Sequence, residues 1–110
     1  MNISSYMETL GREARVSSRL LARASSHLKN QSLLALANAI TRNSPAILKA
    51  NQKDVEAARA SGMEEAMLDR LALSDKNIND MAEGVRQIAA LNDPIGEIND
   101  LKFRPSGIQV

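Results

Sequence analysis

The sequence predicts a mostly helical chain that ends in a short antiparallel β segment. Only two of its 110 residues are aromatic, so any core must be built from Leu, Ile, Ala and Met. Ala and Leu are strong helix formers. Apolar residues recur at steps of three and four over residues 1–93, which is typical of amphipathic helices. Beyond Pro94 apolar and polar residues alternate instead, as they do in half-buried strands.

The first helix is predicted to begin near Ser5. Ser5 and Glu8 have the spacing of a capping box, in which the two residues satisfy each other's free backbone N–H groups. The apolar stripe of this helix then contains Met7, Leu10, Ala14, Ser17, Leu21 and Ala24. Ser25 and Ser26 interrupt the pattern and offer a new cap, so a second helix is expected over residues 27–43.

Three more helices are predicted by the same reasoning. The third begins at Pro45, with Ser44 as its cap, and ends at Ser61 and Gly62, because glycine readily takes the left-handed conformation that closes a helix. A short fourth helix covers residues 64–71. The fifth is capped by Ser74, and its apolar face consists of Ile78, Met81, Ala82, Val85, Ile88 and Ala89.

The end of the chain changes character. Residues 95–98, 101–104 and 108–110 are expected to be short strands, with a tight turn over residues 104–107. Three such strands would leave unpaired edge groups, so further chain or a second copy should complete the sheet. The sequence therefore divides into a helical segment over residues 1–93 and the start of a β-sheet over residues 94–110.

Charge is unevenly distributed along the chain. The net charge is +1. Residues 1–60 carry nine Lys/Arg and four Asp/Glu, whereas residues 61–110 carry five and nine. The two halves are expected to present solvated helical faces of opposite sign, although the basic half would also suit an acidic surface. No long apolar run predicts a membrane span, and the arginines and acids of the first 25 residues argue against a secretory signal.

Few side chains are candidates for chemistry. His27 is the only histidine and has no cysteine partner, so it makes no convincing zinc site. Absence of cysteine also excludes disulfides and favours a cytoplasmic location. Arg15, Arg19 and Arg23 share a helix face, but aromatic stacking partners for a nucleic acid are missing. A solvated or intrachain docking face is the simpler interpretation.

Three further groups have structural explanations. The acids Glu64, Glu65 and Asp69 complement the positive end of a helix dipole more simply than they bind a metal. Among the methionines at 63, 67 and 81, Met67 is expected in the core beside Leu68. Gly84 lies inside the fifth helix, and close packing of another element is the expected reason. No phosphate-binding motif occurs, so no catalytic, cofactor-binding or metal residue is assigned.

A family resemblance rests on residues 66–73, Ala-Met-Leu-Asp-Arg-Leu-Ala-Leu, and on Asp-Pro-Ile-Gly-Glu at residues 93–97. With Leu-Lys-Ala-Asn at residues 48–51, these motifs resemble the amino-terminal segment of γ-glutamyl phosphate reductase (glutamate-5-semialdehyde dehydrogenase), a branch of the aldehyde dehydrogenase superfamily. One departure is Met63 and Glu64, where the family commonly has Leu-Ser. The departure removes a cap but leaves the resemblance intact.

The resemblance implies a parent enzyme that reduces L-glutamyl 5-phosphate with NADPH, in the route from glutamate to proline. The family uses a cysteine thiolate, and no residue of this chain matches it. The helices are then expected to pack on an absent nucleotide-binding domain, and the strands to join an oligomerisation sheet. The expected partners are the rest of the parent polypeptide and further copies of it, with no nucleic acid and no membrane. A free-standing helical interaction module is the alternative.

Overall fold

The computed structural model describes residues 2–110 and contains five α-helices, which confirms the predicted helical architecture. They are α1 (Ile3–Arg23), α2 (Ser26–Arg42), α3 (Ser44–Ala60), α4 (Glu65–Leu71) and α5 (Asp75–Ala89). The chain forms two units. Unit 1 comprises residues 2–26 and 92–110, and unit 2 comprises residues 27–91.

Helix α1 begins earlier than the sequence suggested. Asn2 is its N-cap, and the Asn2 side chain accepts a hydrogen bond from the Ser5 backbone N–H at 3.3 Å. The predicted capping box at Ser5 and Glu8 is therefore wrong, because Ser5 already lies inside the first turn as the donor. Asn and Ser are about equally favourable at the N-cap position. Because Asn2 caps the helix from three residues upstream of Ser5, α1 begins at Ile3.

The junction between α2 and α3 is a single residue, Asn43. Its side chain does not cap α3. Instead the Asn43 Nδ2 donates to the Ala39 carbonyl at 2.7 Å, near the end of α2. Ser44, predicted as the cap, is the first residue of α3, with Pro45 in its first turn. The opposite end of α3 follows the prediction, since Gly62 takes the left-handed conformation with a φ of +87°.

Helix α5 has the strongest start signal. The Ser74 side chain accepts from the Asn77 backbone N–H at 3.2 Å, and the Asn77 side chain accepts from the Ser74 backbone N–H at 2.9 Å. These reciprocal bonds form a capping box and confirm the predicted cap. Asp75 in the first turn adds a favourable charge at the positive end of the helix dipole.

Unit 2 holds the buried core of the chain. The buried apolar side chains are Ala37 of α2, Leu68 of α4, and Ile78 and Ala82 of α5. Helix α3 contacts both α4 and α5. Met67 is half exposed, so the expectation that it packs in the core is wrong. One face of the short helix α4 is buried, and Leu68 occupies it, which turns the adjacent Met67 sideways toward solvent.

Asn51 joins α3 to the segment between α4 and α5. Its Nδ2 donates to the Leu71 carbonyl at 2.9 Å, and its Oδ1 accepts from the Leu73 backbone N–H at 2.8 Å. The Leu71 carbonyl lies at the end of α4, where the helix itself supplies no N–H donor for it. A single amide therefore closes α4 and fixes the segment that leads into α5.

The predicted strands do not form within residues 2–110. Residues 101–110 make one isolated antiparallel bridge, between Phe103 and Gln109, around a turn closed by the Gly107 N–H and the Arg104 carbonyl at 2.8 Å. The expected strand over residues 95–98 is instead a turn, in which the Glu97 N–H donates to the Pro94 carbonyl at 3.3 Å. Alternation alone cannot make a strand, because a single hairpin without a neighbouring strand is marginal.

Within residues 2–110, no other element packs closely against Gly84. A Cβ built at this position would meet no atom within 4 Å, so the expected close packing against Gly84 is wrong. Glycine at this helical position adds conformational freedom to the unfolded chain, which disfavours the helix.

Replacing Asn51 with Ala should lower the free energy of unfolding by about 1–3 kcal/mol, because a part-buried N–H and C=O lose their partners. Urea unfolding followed by far-UV circular dichroism measures this change. The matched control is Gln52→Ala, which removes an exposed bond to Glu56 on the same helix. Equal stability of the two variants would contradict the structural role of Asn51.

Gly84→Ala should raise the free energy of unfolding by about 1 kcal/mol, since Ala is the better helix former and the site has room for its methyl group. Gly62→Ala should have the opposite sign, because Gly62 needs a φ of +87°. Thermal unfolding of both variants checks the pair, and destabilisation by Gly84→Ala would disprove the open surroundings of that residue.

Candidate docking surface

Helix α1 carries an apolar stripe that unit 1 leaves uncovered. The predicted spacing is realised in a continuous helix, yet none of its 21 residues is buried. Ile3 and Leu21, near the two ends of the stripe, are 74% and 61% exposed. Contiguous apolar surface of this kind is typical of an interaction site in a soluble protein. The stripe, defined as Ile3, Met7, Leu10, Ala14 and Leu21, is the first part of a candidate docking surface.

Residues 94–110, termed the arm, form the second part. Two residue pairs within the arm hold its hairpin. Lys102 and Val110 exchange backbone hydrogen bonds of 2.8 Å, and the Arg104 N–H donates to the Ile108 carbonyl at 2.8 Å. The large apolar side chains of the arm are exposed. They are Ile95, Ile98, Leu101, Phe103, Ile108 and Val110. The arm therefore offers both apolar side chains and an open backbone edge.

Asp93 fastens the start of the arm. One carboxylate oxygen accepts from the Ser26 hydroxyl at 2.9 Å, and the other accepts from the Ile95 backbone N–H at 2.9 Å. Bonds to a charged acceptor are stronger than bonds between neutral groups. One oxygen thus holds the second residue of the arm, and the other bonds to the first residue of α2.

The arginines of α1 lie away from the stripe. Arg15, Arg19 and Arg23 follow each other at four-residue steps, and Arg12 precedes them by three, so all four share one face. All are exposed, and none forms an ion pair with another residue in the described part of the chain. A cationic face opposite an apolar stripe gives α1 a defined inner and outer side.

A shallow groove with mixed polar and apolar walls runs between α4 and α5. Its walls are formed by Asp69, Arg70, Ala72, Leu73, Asn77, Asp80 and Met81. Only Asp69 of the predicted acidic cluster contributes, since Glu64 is the N-cap residue of α4 and Glu65 opens its first turn. The helix-terminal position of these two acids agrees with a role at the positive end of the dipole.

Asp80, which lines this groove, also forms an ion pair at the surface of α5. The Lys76 Nζ donates to the Asp80 carboxylate at 2.7 Å. This hydrogen bond, with the negative charge of Asp80, raises the pKa of Lys76 above its ordinary value. Both side chains are largely exposed, so solvent screens the pair and its contribution to stability is small.

Metal binding has no support among the candidate side chains. His27 is exposed in the first turn of α2. Residues 2–110 contain no group of three or more His, Cys, Asp or Glu side chains arranged to hold an ion. Nor is any helix in that range long and apolar enough to cross a bilayer. The exposed apolar surface is therefore the feature most suggestive of function.

The sequence analysis did not identify the long-range hydrogen bonds of Asn51 and Asp93. Asn51 bonds to residues 20 and 22 positions away, and Asp93 bonds to Ser26, 67 positions away; no local spacing indicates such contacts. One signal was present for Asn51, because asparagine is a poor residue for a helix interior and needs a compensating contact there. Asp93 before Pro94 was interpreted only as the end of a helix.

Known proteins support the family resemblance. No protein-family model matches the chain. Among solved structures, the crystal structure of γ-glutamyl phosphate reductase from Thermotoga maritima matches with a TM-score of 0.83 and 35% sequence identity. The match covers 89% of this chain and 24% of the reductase chain, so this chain spans about a quarter of that protein's length.

The agreement in fold extends over most of the helices described above, and the identity is high enough to indicate common ancestry rather than fold alone. Both observations confirm the resemblance found in the motifs at residues 66–73 and 93–97. In sequence and in fold, the chain is thus recognised as the counterpart of the amino-terminal segment of γ-glutamyl phosphate reductase.

Proposed function

We propose that the chain is the amino-terminal part of a cytoplasmic enzyme that reduces L-glutamyl 5-phosphate with NADPH to L-glutamate 5-semialdehyde and phosphate, in proline biosynthesis. The similarity to the Thermotoga reductase, at 35% identity over 89% of the chain, carries this proposal. The substrate, cofactor and pathway follow from the family resemblance.

The chemistry would lie outside these residues. In this family a cysteine thiolate displaces phosphate from the acyl phosphate to form a thioester, and hydride from NADPH then reduces the thioester. A thiolate suits both steps because it is a good nucleophile and a good leaving group. The 110 residues contain no cysteine, so they cannot supply this group.

The contribution of the chain would be structural. The stripe of α1 has no cover within its own unit, and packing on the nucleotide-binding part of the enzyme would bury it. Burial of a large aliphatic side chain is worth about 1.5–3 kcal/mol, so docking would add substantially to the stability of α1. The arm would join a sheet with a second copy of the polypeptide, giving a homo-oligomer.

The encoding gene distinguishes this proposal from a free-standing helical interaction module. An open reading frame that continues beyond codon 110 into a cysteine-containing domain is expected. A natural stop codon at this position would favour the module, because the chain would then have to find its partner in another protein.

The purified chain should show no NADPH-dependent reduction of L-glutamyl 5-phosphate. Absorbance at the wavelength of NADPH measures the turnover, and a full-length reductase of the same family serves as the positive control. Turnover that co-purifies with the chain through successive columns would refute the assignment of catalysis to an absent domain.

The chain should also self-associate through its arm. Sedimentation velocity over increasing protein concentration should show growth of a dimer or larger species, because the arm's apolar side chains and backbone edge are exposed. Phe103→Ser should weaken this association. Leu34→Ser, which removes an exposed apolar side chain from α2, is the control. Equal weakening by both variants would exclude the arm as the contact.

A further inference from the structure

The carboxylate of Asp93 connects two places that are far apart in sequence. It accepts hydrogen bonds of 2.9 Å from the Ser26 hydroxyl, at the first residue of α2, and from the Ile95 N–H, at the second residue of the arm. The bond to Ile95 is an Asx-turn, in which the side chain imitates a backbone carbonyl. Because both oxygens are engaged, rotation of the side chain would break a bond.

The residues that follow Asp93 further restrict the backbone conformation at the start of the arm. Pro94 has a φ fixed by its ring and restricts the backbone of the preceding residue. Its carbonyl then accepts from the Glu97 N–H, with Gly96 at a φ of +82° inside the turn. Together, these features determine where the arm begins and the direction of its first residues. They are Asp93, Pro94 and this turn.

The free edge of the arm suits a second copy of the same chain. The inward-facing backbone groups of Lys102, Arg104, Ile108 and Val110 are used within the hairpin. No backbone bond from Phe103 or Gln109 is found within residues 2–110, and Phe103 is 74% exposed. Two identical edges can pair antiparallel about a twofold axis, where each copy offers the same donors and acceptors to the other.

We propose that Asp93 is a positioning residue that presets the direction of the arm and thereby raises its affinity for a second copy of this chain. The inference rests on the arm contact of the proposed function. A segment that is ordered before binding loses less conformational entropy when the partner arrives, so the same contacts give a tighter complex. Asp93 lies outside the hairpin, at the residue before the arm.

The test compares Asp93→Ala with Asp93→Asn, Ser26→Ala and the control Asp100→Asn. Asp93→Ala removes both bonds, and the loss of one charged hydrogen-bond network should raise the dimer dissociation constant about tenfold. Asp93→Asn keeps an oxygen for the Ile95 N–H, and Ser26→Ala keeps the Asx-turn, so both should fall between wild type and Asp93→Ala. Asp100→Asn removes the same charge from the arm and should change the constant less than twofold.

Amide hydrogen exchange measured by NMR separates positioning from a loss of the hairpin. In Asp93→Ala the Ile95 N–H should exchange faster, while the Lys102 and Val110 N–H groups keep their protection. An Asp93→Ala variant that dimerises as tightly as wild type overturns the inference alone. A wild-type chain that stays monomeric at all concentrations overturns the inference together with the arm contact.

Discussion

The side-chain amide of Asn51 is the constraint on which unit 2 depends. Helix α4 has seven residues, a length at which an isolated helix is unstable in water. Asn51 donates to the Leu71 carbonyl, which lacks a donor within the helix, and accepts from the free N–H of Leu73. The segment between α4 and α5 is thereby fixed against α3. Leu68 before it and Ile78 after it can then be buried in the same core.

The local order of this chain could be predicted because its causes are local. Caps, glycine stops and the three-to-four spacing of apolar residues depend on neighbours within a few positions, and all five helices were expected for that reason. Asn51 shows the limit of such reasoning, since its partners lie 20 and 22 residues away. The start of α1 shows a second limit. Asn2 and Ser5 both offer a cap, and sequence alone does not rank them.

The strands were the largest error, and the reason is physical. Alternation of apolar and polar residues states which side chains a strand would bury, but a strand exists only when a neighbour accepts its backbone hydrogen bonds. Within residues 2–110 the backbone of the arm pairs only with itself, and the result is a single bridge between Phe103 and Gln109. The alternating pattern and the exposed side chains are consistent with a pairing surface that needs a partner.

The exposed stripe of α1 is evidence of a different kind from the match to a known structure. Similarity to the Thermotoga reductase compares residues and backbone positions, whereas the bare stripe is a property of this chain's own geometry. Burial of the stripe is the larger energetic term, because apolar contacts scale with area while the exposed arginines gain little from surface pairing. The arginine face would therefore remain in solvent when the stripe docks. Helix α1 thus has one apolar side that suits contact with another protein surface and one cationic side that suits solvent.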